Sequence, residues 1–510
     1  MLSKIYSYGL FGLEAYPITI EVDVSSGLPS MVIVGLPDSA IKESRERVRS
    51  AIKNSGFKFP LERITVNLAP ADTKKEGPAF DLAIALGVLA ATGQIDADLL
   101  KEFVILGELS LDGQIQAIAG SLSVALAAPF QKLRGIILPA PNAAEAAVSE
   151  RVNIYPVRSL SQTVQFLQDP QNIEPFKIDS RIMLSKTGPT DIDFADVKGQ
   201  AHVKRGLEVA GAGGHNVLLI GPPGSGKTML AQRLITILPD LTREEALETT
   251  RIQSAMGLLQ ANKGLIASRP FRCPHHTSSD VAMVGGGSIP KPGEVTLAHN
   301  GILFLDELPE FNRNVLEALR QPHEDRWVTI SRAVRSVRFP SQFMLICAMN
   351  PCPCGWYGDP QKECHCSPYH IQKYLSKISG PLLDRIDIHL EVPALKSSDL
   401  LSNPAQETSQ DIKTRTTQGR AIAQKRFTGT SIFTNAQMNH RQIKQHCPLD
   451  DECKKLLKMA IEELGLSARE YDKILKVSRT IADLEGSEQI KTEHLAEAIQ
   501  YRSLDRNWWG

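Results

Sequence analysis

No stretch of this 510-residue sequence approaches the ~18 uncharged apolar residues that crossing a bilayer requires, and the opening Met1-Leu2-Ser3-Lys4-Ile5-Tyr6 has no signal-peptide core. These absences predict a cytoplasmic protein with no membrane role. An excess of either charge is also missing. Lys plus Arg and Asp plus Glu each number 57, so any grip on nucleic acid must come from a local basic surface rather than a global field. Cysteine is scarce, with 8 residues in all, which excludes a disulfide scaffold. Internal repeats and low-complexity tracts are absent. What remains, 42% hydrophobic and 22% charged residues, is the composition of an ordinary globular protein, and the length predicts three units at ~150 residues per domain.

Residues 1–168 read as an α/β unit. Short β-branched runs at 18–24, 64–68, 103–106 and 136–138 are bounded by Gly or Pro. Helical stretches lie at 38–54, with Asp38 as N-cap, and at 80–91. Residues 169–193 turn polar and Pro-containing with little periodicity, as a linker does. A second α/β unit spans 194–395, with an insertion at about 252–292 and a cysteine cluster at 352–366. Strand signals then vanish, and helical patterns at 456–464, 471–484 and 492–501 make 396–510 an all-helical unit.

The chemistry-bearing signal lies in the second unit. Gly221-Pro222-Pro223-Gly224-Ser225-Gly226-Lys227-Thr228 fits G-x-x-x-x-G-K-[ST] in full, between a buried-strand run at 216–220 and a helical run at 229–238. That strand, loop and helix order is the context a phosphate-binding loop needs. The glycines let backbone N–H groups close around a phosphate at a helix N-terminus. Lys227 would neutralise the β- and γ-oxygens of ATP, and Thr228 would ligate Mg²⁺. Downstream, Ile302-Leu303-Phe304-Leu305-Asp306-Glu307 is an apolar strand ending in two carboxylates. Asp306 suits the Mg²⁺ shell, and Glu307 can polarise the attacking water. A third strand at 344–349 ends at Asn350, whose amide is placed to orient that water. Arg385 reads as an arginine finger for a neighbouring subunit's γ-phosphate, or as a structural partner of Asp384 or Asp387. Arg469, at the start of a helix in the carboxy-terminal unit, is the choice for a nucleotide-sensing arginine, with Arg479 as its rival.

Longer runs are more specific: Phe271-Arg272-Cys273-Pro274-His275-His276-Thr277, Leu297-Ala298-His299-Asn300-Gly301, Phe304-Leu305-Asp306-Glu307-Leu308-Pro309-Glu310-Phe311 and Ser379-Gly380-Pro381-Leu382-Leu383-Asp384-Arg385-Ile386-Asp387. On these the chain closely resembles, over essentially its whole length, the YifB/ComM family of magnesium-chelatase-like AAA+ ATPases. The resemblance implies an α/β P-loop AAA+ module with a helical lid, a homo-hexameric ring, and ATP and Mg²⁺ as cofactors. It also implies DNA as partner, single-stranded or branched, with a helicase driving branch migration during natural transformation. A chelatase-type motor that remodels a protein and leaves DNA alone is the alternative. The amino-terminal unit resembles the proteolytic domain of Lon, of the ribosomal S5 domain 2-like class. That pattern would carry its nucleophilic serine at Ala79 and its dyad lysine at about Ser123. A methyl group cannot attack a carbonyl, so the resemblance implies a binding or assembly platform.

Cys352-Pro353-Cys354 and Cys364-His365-Cys366 supply four thiolates on a short hairpin, which suits a structural tetrahedral Zn²⁺; reduced, solvent-facing thiols are the alternative. His275 and His276 with His299 suggest a second metal at first sight. Adjacent histidines usually point to opposite sides of the chain, so hydrogen-bonding or substrate-contact roles are expected. The Gly-rich insertion at 252–292 has the character of a pore lining. Arg326, Arg332, Arg335 and Arg338 punctuate a β-pattern at 328–339 with a turn near Ala333. Such a hairpin could track a phosphate backbone, or be a solvated edge.

Overall fold

The computed structural model describes residues 1–128, 133–178, 191–260, 263–287, 290–331, 336–360, 362–394, 406–430 and 432–502. Its amino-terminal sheet contains β1 (Leu2–Phe11), β2 (Glu14–Ser25), β3 (Ser30–Val34), β4 (Arg63–Ala69) and β5 (Phe103–Ile105). A small antiparallel pair, β6 (Glu108–Leu109) and β7 (Ile115–Gln116), stands apart from it. With β8 (Gly135–Pro139) and β9 (Ile154–Val157) the sheet order is β3-β4-β2-β1-β5-β8-β9. Ile18, Ile20, Val22 and Val24 point inward from β2, and Ile64, Val66 and Leu68 from β4, the period of two expected of strands covered on one face. The helix Asp81–Ala91 is buried on every side. The helix Ser39–Asn54 is capped by Asp38, whose carboxylate accepts from the Ile41 N–H at 2.8 Å.

The expected linker starts later than its composition suggests. Phe176 bridges Ile154 of β9, its N–H donating to the Ile154 carbonyl at 2.8 Å. Backbone pairing therefore ties this part of 169–193 to the sheet edge.

The second sheet is parallel throughout, formed by β10 (Val217–Ile220), β11 (Phe271–Arg272), β14 (Ile302–Leu305), β17 (Met344–Met349) and β18 (Ile388–Glu391) in the order β11-β14-β17-β10-β18. Two antiparallel pairs intervene in sequence, β12 (Gly285–Gly286) with β13 (Lys291–Pro292) and β15 (Trp327–Ser331) with β16 (Ser336–Pro340). Every residue of β10, β14 and β17 is buried, as a parallel sheet covered on both faces demands. One face carries the helices Ala201–Gly213 and Lys227–Ile237 and continues into the helices Ser409–Arg426, Asp451–Leu464, Ala468–Leu484 and Thr492–Gln500. The other buries Ile252, Val295, Phe311, the hairpin residues Val328, Ile330, Val337 and Phe339, and Leu13 from the β1–β2 turn.

Two expectations need correction. Residues 252–292 are not one insertion, because β11 within them is an edge strand of the central sheet and Ile252 belongs to the helix Arg243–Ala255. A two-residue strand leaves no periodic signal to read. Arg326 is not a hairpin residue either; it ends a helix with φ 60° and donates to the Gln437 carbonyl at 3.5 Å.

The two sheets are joined through the helix Arg243–Ala255. Arg251 donates to the Leu13 carbonyl at 2.8 Å and to Ser123 Oγ at 3.3 Å, and the Gly120 N–H donates to the Ser254 carbonyl at 3.0 Å.

Candidate active site

Parallel strands bring their carboxyl ends to one edge, where a ligand crevice forms. Here those ends are Ile220, Leu305 and Met349, and the next residues along the chain are Gly221, Asp306 and Asn350. A side chain is impossible at Gly221: a Cβ there would lie 2.1 Å from the Val392 carbonyl oxygen. Lys227 Nζ donates to the carbonyls of Gly221 at 2.8 Å and Pro222 at 2.9 Å, and to Asn350 Oδ1 at 3.1 Å. All three acceptors are uncharged. Burial pushes the Lys227 pKa down to about 8, against the pull of Asp306. A buried cation with only neutral partners is a fit for phosphate oxygens.

The Thr228 hydroxyl donates to Asp306 Oδ2 at 2.6 Å. Alcohol and carboxylate thus converge on one point, a donor set that fits Mg²⁺, an ion that keeps its other positions for phosphate and water. The Glu307 N–H donates to Asp306 Oδ1 at 2.9 Å, and Glu307 has a left-handed φ of 52°, a strained conformation of the kind that collects at functional sites. Its carboxylate is 60% exposed and lies 3.3 Å from His276 Nδ1. The His276 contact is not apparent from the sequence. The rings of His275 and His276 lie together, tilted by 33° with centroids 4.1 Å apart, instead of diverging, since they sit in irregular backbone after β11. His299 stands elsewhere, with Nε2 3.0 Å from Glu248 Oε2 and Nδ1 accepting the Gln342 N–H at 3.1 Å.

Arg385 occupies the opposite edge. Its carbonyl accepts from Asn216 Nδ2 at 2.8 Å, and Asn216 precedes β10, so about 13 Å of strand separates this point from the phosphate loop. The guanidinium is bound to Glu324 and to the Pro381 carbonyl, not to Asp384 or Asp387. Asp384 accepts from Arg469 at 3.0 Å, and Asp387 lies 3.2 Å from His215 Nδ1. Arg469, the expected nucleotide-sensing arginine, is 73% exposed and stands beside Arg385, away from this subunit's phosphate loop. Packing of the helix Ala468–Leu484 against the amino edge of the sheet puts it there. Arg479 is an internal anchor, 2% exposed and held by Asp483 and the carbonyls of Ser487 and Glu488. A cleft of ≈ 420 Å³ at this edge is lined in part by Arg326, Arg385, Arg420, Arg469, Lys473 and Lys476.

Of the hairpin arginines, Arg332 and Arg335 lie outside the described residues. Arg338 is on β16, its guanidinium 5.9 Å from the ring centroid of Trp327, which is 43% exposed. The cysteines do come together. The thiols of Cys352, Cys354, Cys364 and Cys366 all lie within 4.8 Å of one another, with separations of 3.3, 3.7 and 3.6 Å among the first three. Tetrahedral thiolates at Zn–S of ~2.3 Å would be ~3.8 Å apart, so the cluster can hold one metal ion.

A phosphate loop, a strand-end carboxylate pair, an amide on the strand between them and an arginine at the far edge define an ATPase-type site of the AAA+ class. The chain belongs to the YifB/ComM family, whose members it matches over its full length, and its parts are similar to magnesium chelatase subunit ChlI. Residues 193–400 match the model for magnesium chelatase, subunit ChlI, residues 20–142 that for subunit ChlI of Mg-chelatase, and residues 406–502 the ChlI C-terminal model. The chain is 46% identical over 507 residues to the competence protein ComM of Haemophilus influenzae, covering 99% of this chain and 98% of that one. It is 45% identical over 508 residues to the uncharacterized protein YifB of Salmonella typhimurium, with 99% and 98% covered. The magnesium-chelatase subunit ChlI-2 of Arabidopsis thaliana is 20% identical over 347 residues, 63% of this chain and 76% of that one. Among the described residues no helix is long and apolar enough to cross a membrane.

Proposed function

We propose that the chain is the subunit of an ATP-hydrolysing homo-hexameric ring that acts on DNA in the cytoplasm, as a helicase promoting branch migration of recombination intermediates during natural transformation. The observation that carries the ATPase reading is the gathering of Lys227, Thr228, Asp306, Glu307 and Asn350 at one edge of the sheet, with Arg385 at the other. Thr228 and Asp306 hold Mg²⁺, which when bound neutralises phosphate charge, and the four cysteines hold a structural Zn²⁺. Lys227 binds the β- and γ-oxygens, Asn350 orients the attacking water and Glu307 accepts its proton. Arg385 acts in trans on the next subunit's γ-phosphate, with Arg469 beside it at the same interface. Residues 396–510 serve as the lid and residues 1–168 as a Lon-like assembly platform, joined to the 194–395 engine.

The full-length likeness to a competence protein supports DNA as the partner. So does the exposed Trp327 beside Arg338, a stacking ring next to a guanidinium, the combination that grips single strands without reading sequence. The second reading, remodelling of a protein partner, draws on the likeness to chelatase subunits. Steady-state ATP hydrolysis with and without single-stranded and branched DNA, with Lys227→Ala as the blank, separates them. Stimulation by DNA supports the helicase; turnover indifferent to DNA favours the protein-remodelling motor.

A further inference from the structure

The cysteine loop and the phosphate loop are in direct mechanical contact. Asn350, which accepts from Lys227 at 3.1 Å, is separated from Cys352 by a single proline. Cys352 is fully buried. The Gly355 N–H donates to the Cys352 carbonyl at 3.0 Å, and this turn lays Gly355 on Pro223 of the phosphate loop. A Cβ at position 355 would lie 2.6 Å from Pro223 Cδ, and the φ of 85° is one that glycine alone adopts freely. Tyr357 then walls a cleft of ≈ 140 Å³ with Gly221, Pro222, Glu391 and Pro393. The described residues between 351 and 366 form no helix or strand, so side-chain contacts and the thiol cluster must hold this segment in place.

We propose that zinc on Cys352, Cys354, Cys364 and Cys366 is a positioning device for hydrolysis. It fixes the loop that sets Asn350 against Lys227 and Gly355 against Pro223, so that turnover depends on the metal while binding of the diphosphate does not. The inference rests on the nucleotide and zinc assignments above. The lysine of a phosphate loop reaches the β- and γ-phosphates, so an amide held on its amine lies where the γ-phosphate is lost. A tetrathiolate site has no open position, and the metal acts only through the loop it closes.

The test uses the full-length protein: zinc released by thiol modification and counted with a chromophoric chelator, the ADP dissociation constant by calorimetry, and kcat. Three proteins are compared, wild type, the double variant Cys364→Ser/Cys366→Ser, and Gly355→Ala. Wild type is expected to carry about one zinc per chain and the double variant none. The double variant should keep its far-UV circular dichroism and its ADP affinity within about twofold while kcat falls about tenfold or more, the usual cost of losing a positioning shell. Gly355→Ala should keep its zinc and still lose kcat, and this variant decides alone if the double variant does not fold. Wild type without zinc after reconstitution overturns the zinc assignment. Zinc present in wild type, with kcat unchanged in the variants, leaves that assignment standing and overturns the positioning role. So does parallel loss of ADP affinity and kcat.

Discussion

The two edges of the five-stranded sheet are built to opposite specifications. At the carboxyl edge the charged groups have weak partners: Lys227 donates only to neutral oxygens, and the Glu307 carboxylate is open to solvent. At the amino edge the charges are latched, Arg385 on Glu324, Arg469 on Asp384, and Asp387 on His215. The latches differ in exposure. Glu324 is 62% exposed while the Arg385 side chain is 11% exposed, so this pair is open to water on its acid side only, and a phosphate would exchange one anionic partner of Arg385 for another. Asp387 is buried against His215 and belongs to the structure. On the proposed function, the contrast means that one part of the catalytic site is preassembled within a subunit and the Arg385 part is kept for a neighbour.

The comparison breaks most visibly at Arg385. Arg385→Ala is expected to lower kcat by about 10³-fold or more, the range for an arginine finger, while ATP binding to the isolated subunit, read by calorimetry, stays unchanged. Glu307→Gln should cost about 10²–10⁴ in kcat as the loss of a general base, again with ATP bound normally in a filter or calorimetric assay. Loss of ATP binding in either variant would remove that residue from its assigned role.

Asp387→Ala probes the structural latch. Burial alone would raise the Asp387 carboxyl, but the His215 hydrogen bond and charge, with Lys473 and Lys476, hold it well below the usual carboxylate range. Its stabilising contribution is therefore fully present above about pH 4, the unfolded value, and is lost as pH falls towards the folded value. Removing one partner of a buried pair costs about 3–5 kcal/mol. Urea unfolding at pH 7 should show that loss, and the variant's acid-side decline should be shallower than the wild type's by the Asp387 contribution.

The smallest effect concerns Lys227. Its charged form binds phosphate, and that form is depleted as pH rises through about 8. ATP affinity should then fall by up to about tenfold per pH unit, and Lys227→Arg, always charged, should flatten the profile. A wild-type affinity constant from pH 7 to 9.5 would show that the lysine does not titrate.

The carboxyl edge is legible in the sequence because its parts are local. The phosphate loop is eight contiguous residues, and Asp306, Glu307 and Asn350 each end an apolar run. The cysteines are legible by spacing for the same reason. What stays hidden depends on packing. β11 is too short to show a period, so the proximity of His276 to Glu307 cannot be read. The direction in which the helix Ala468–Leu484 docks decides whether Arg469 meets its own phosphate loop or the far edge, and no local pattern encodes that choice. Arg385 shows the limit most clearly, since its three neighbouring acids, Glu324, Asp384 and Asp387, are told apart only by their positions in the folded chain.

The most direct measurement mixes two inactive proteins, Arg385→Ala and Lys227→Ala, under conditions in which rings exchange subunits, and records ATP turnover. An arginine acting in trans predicts recovery, because a Lys227→Ala subunit lends its Arg385 to the intact phosphate loop of an Arg385→Ala neighbour. Mixed rings that remain silent would contradict it and return Arg385 to a purely structural role.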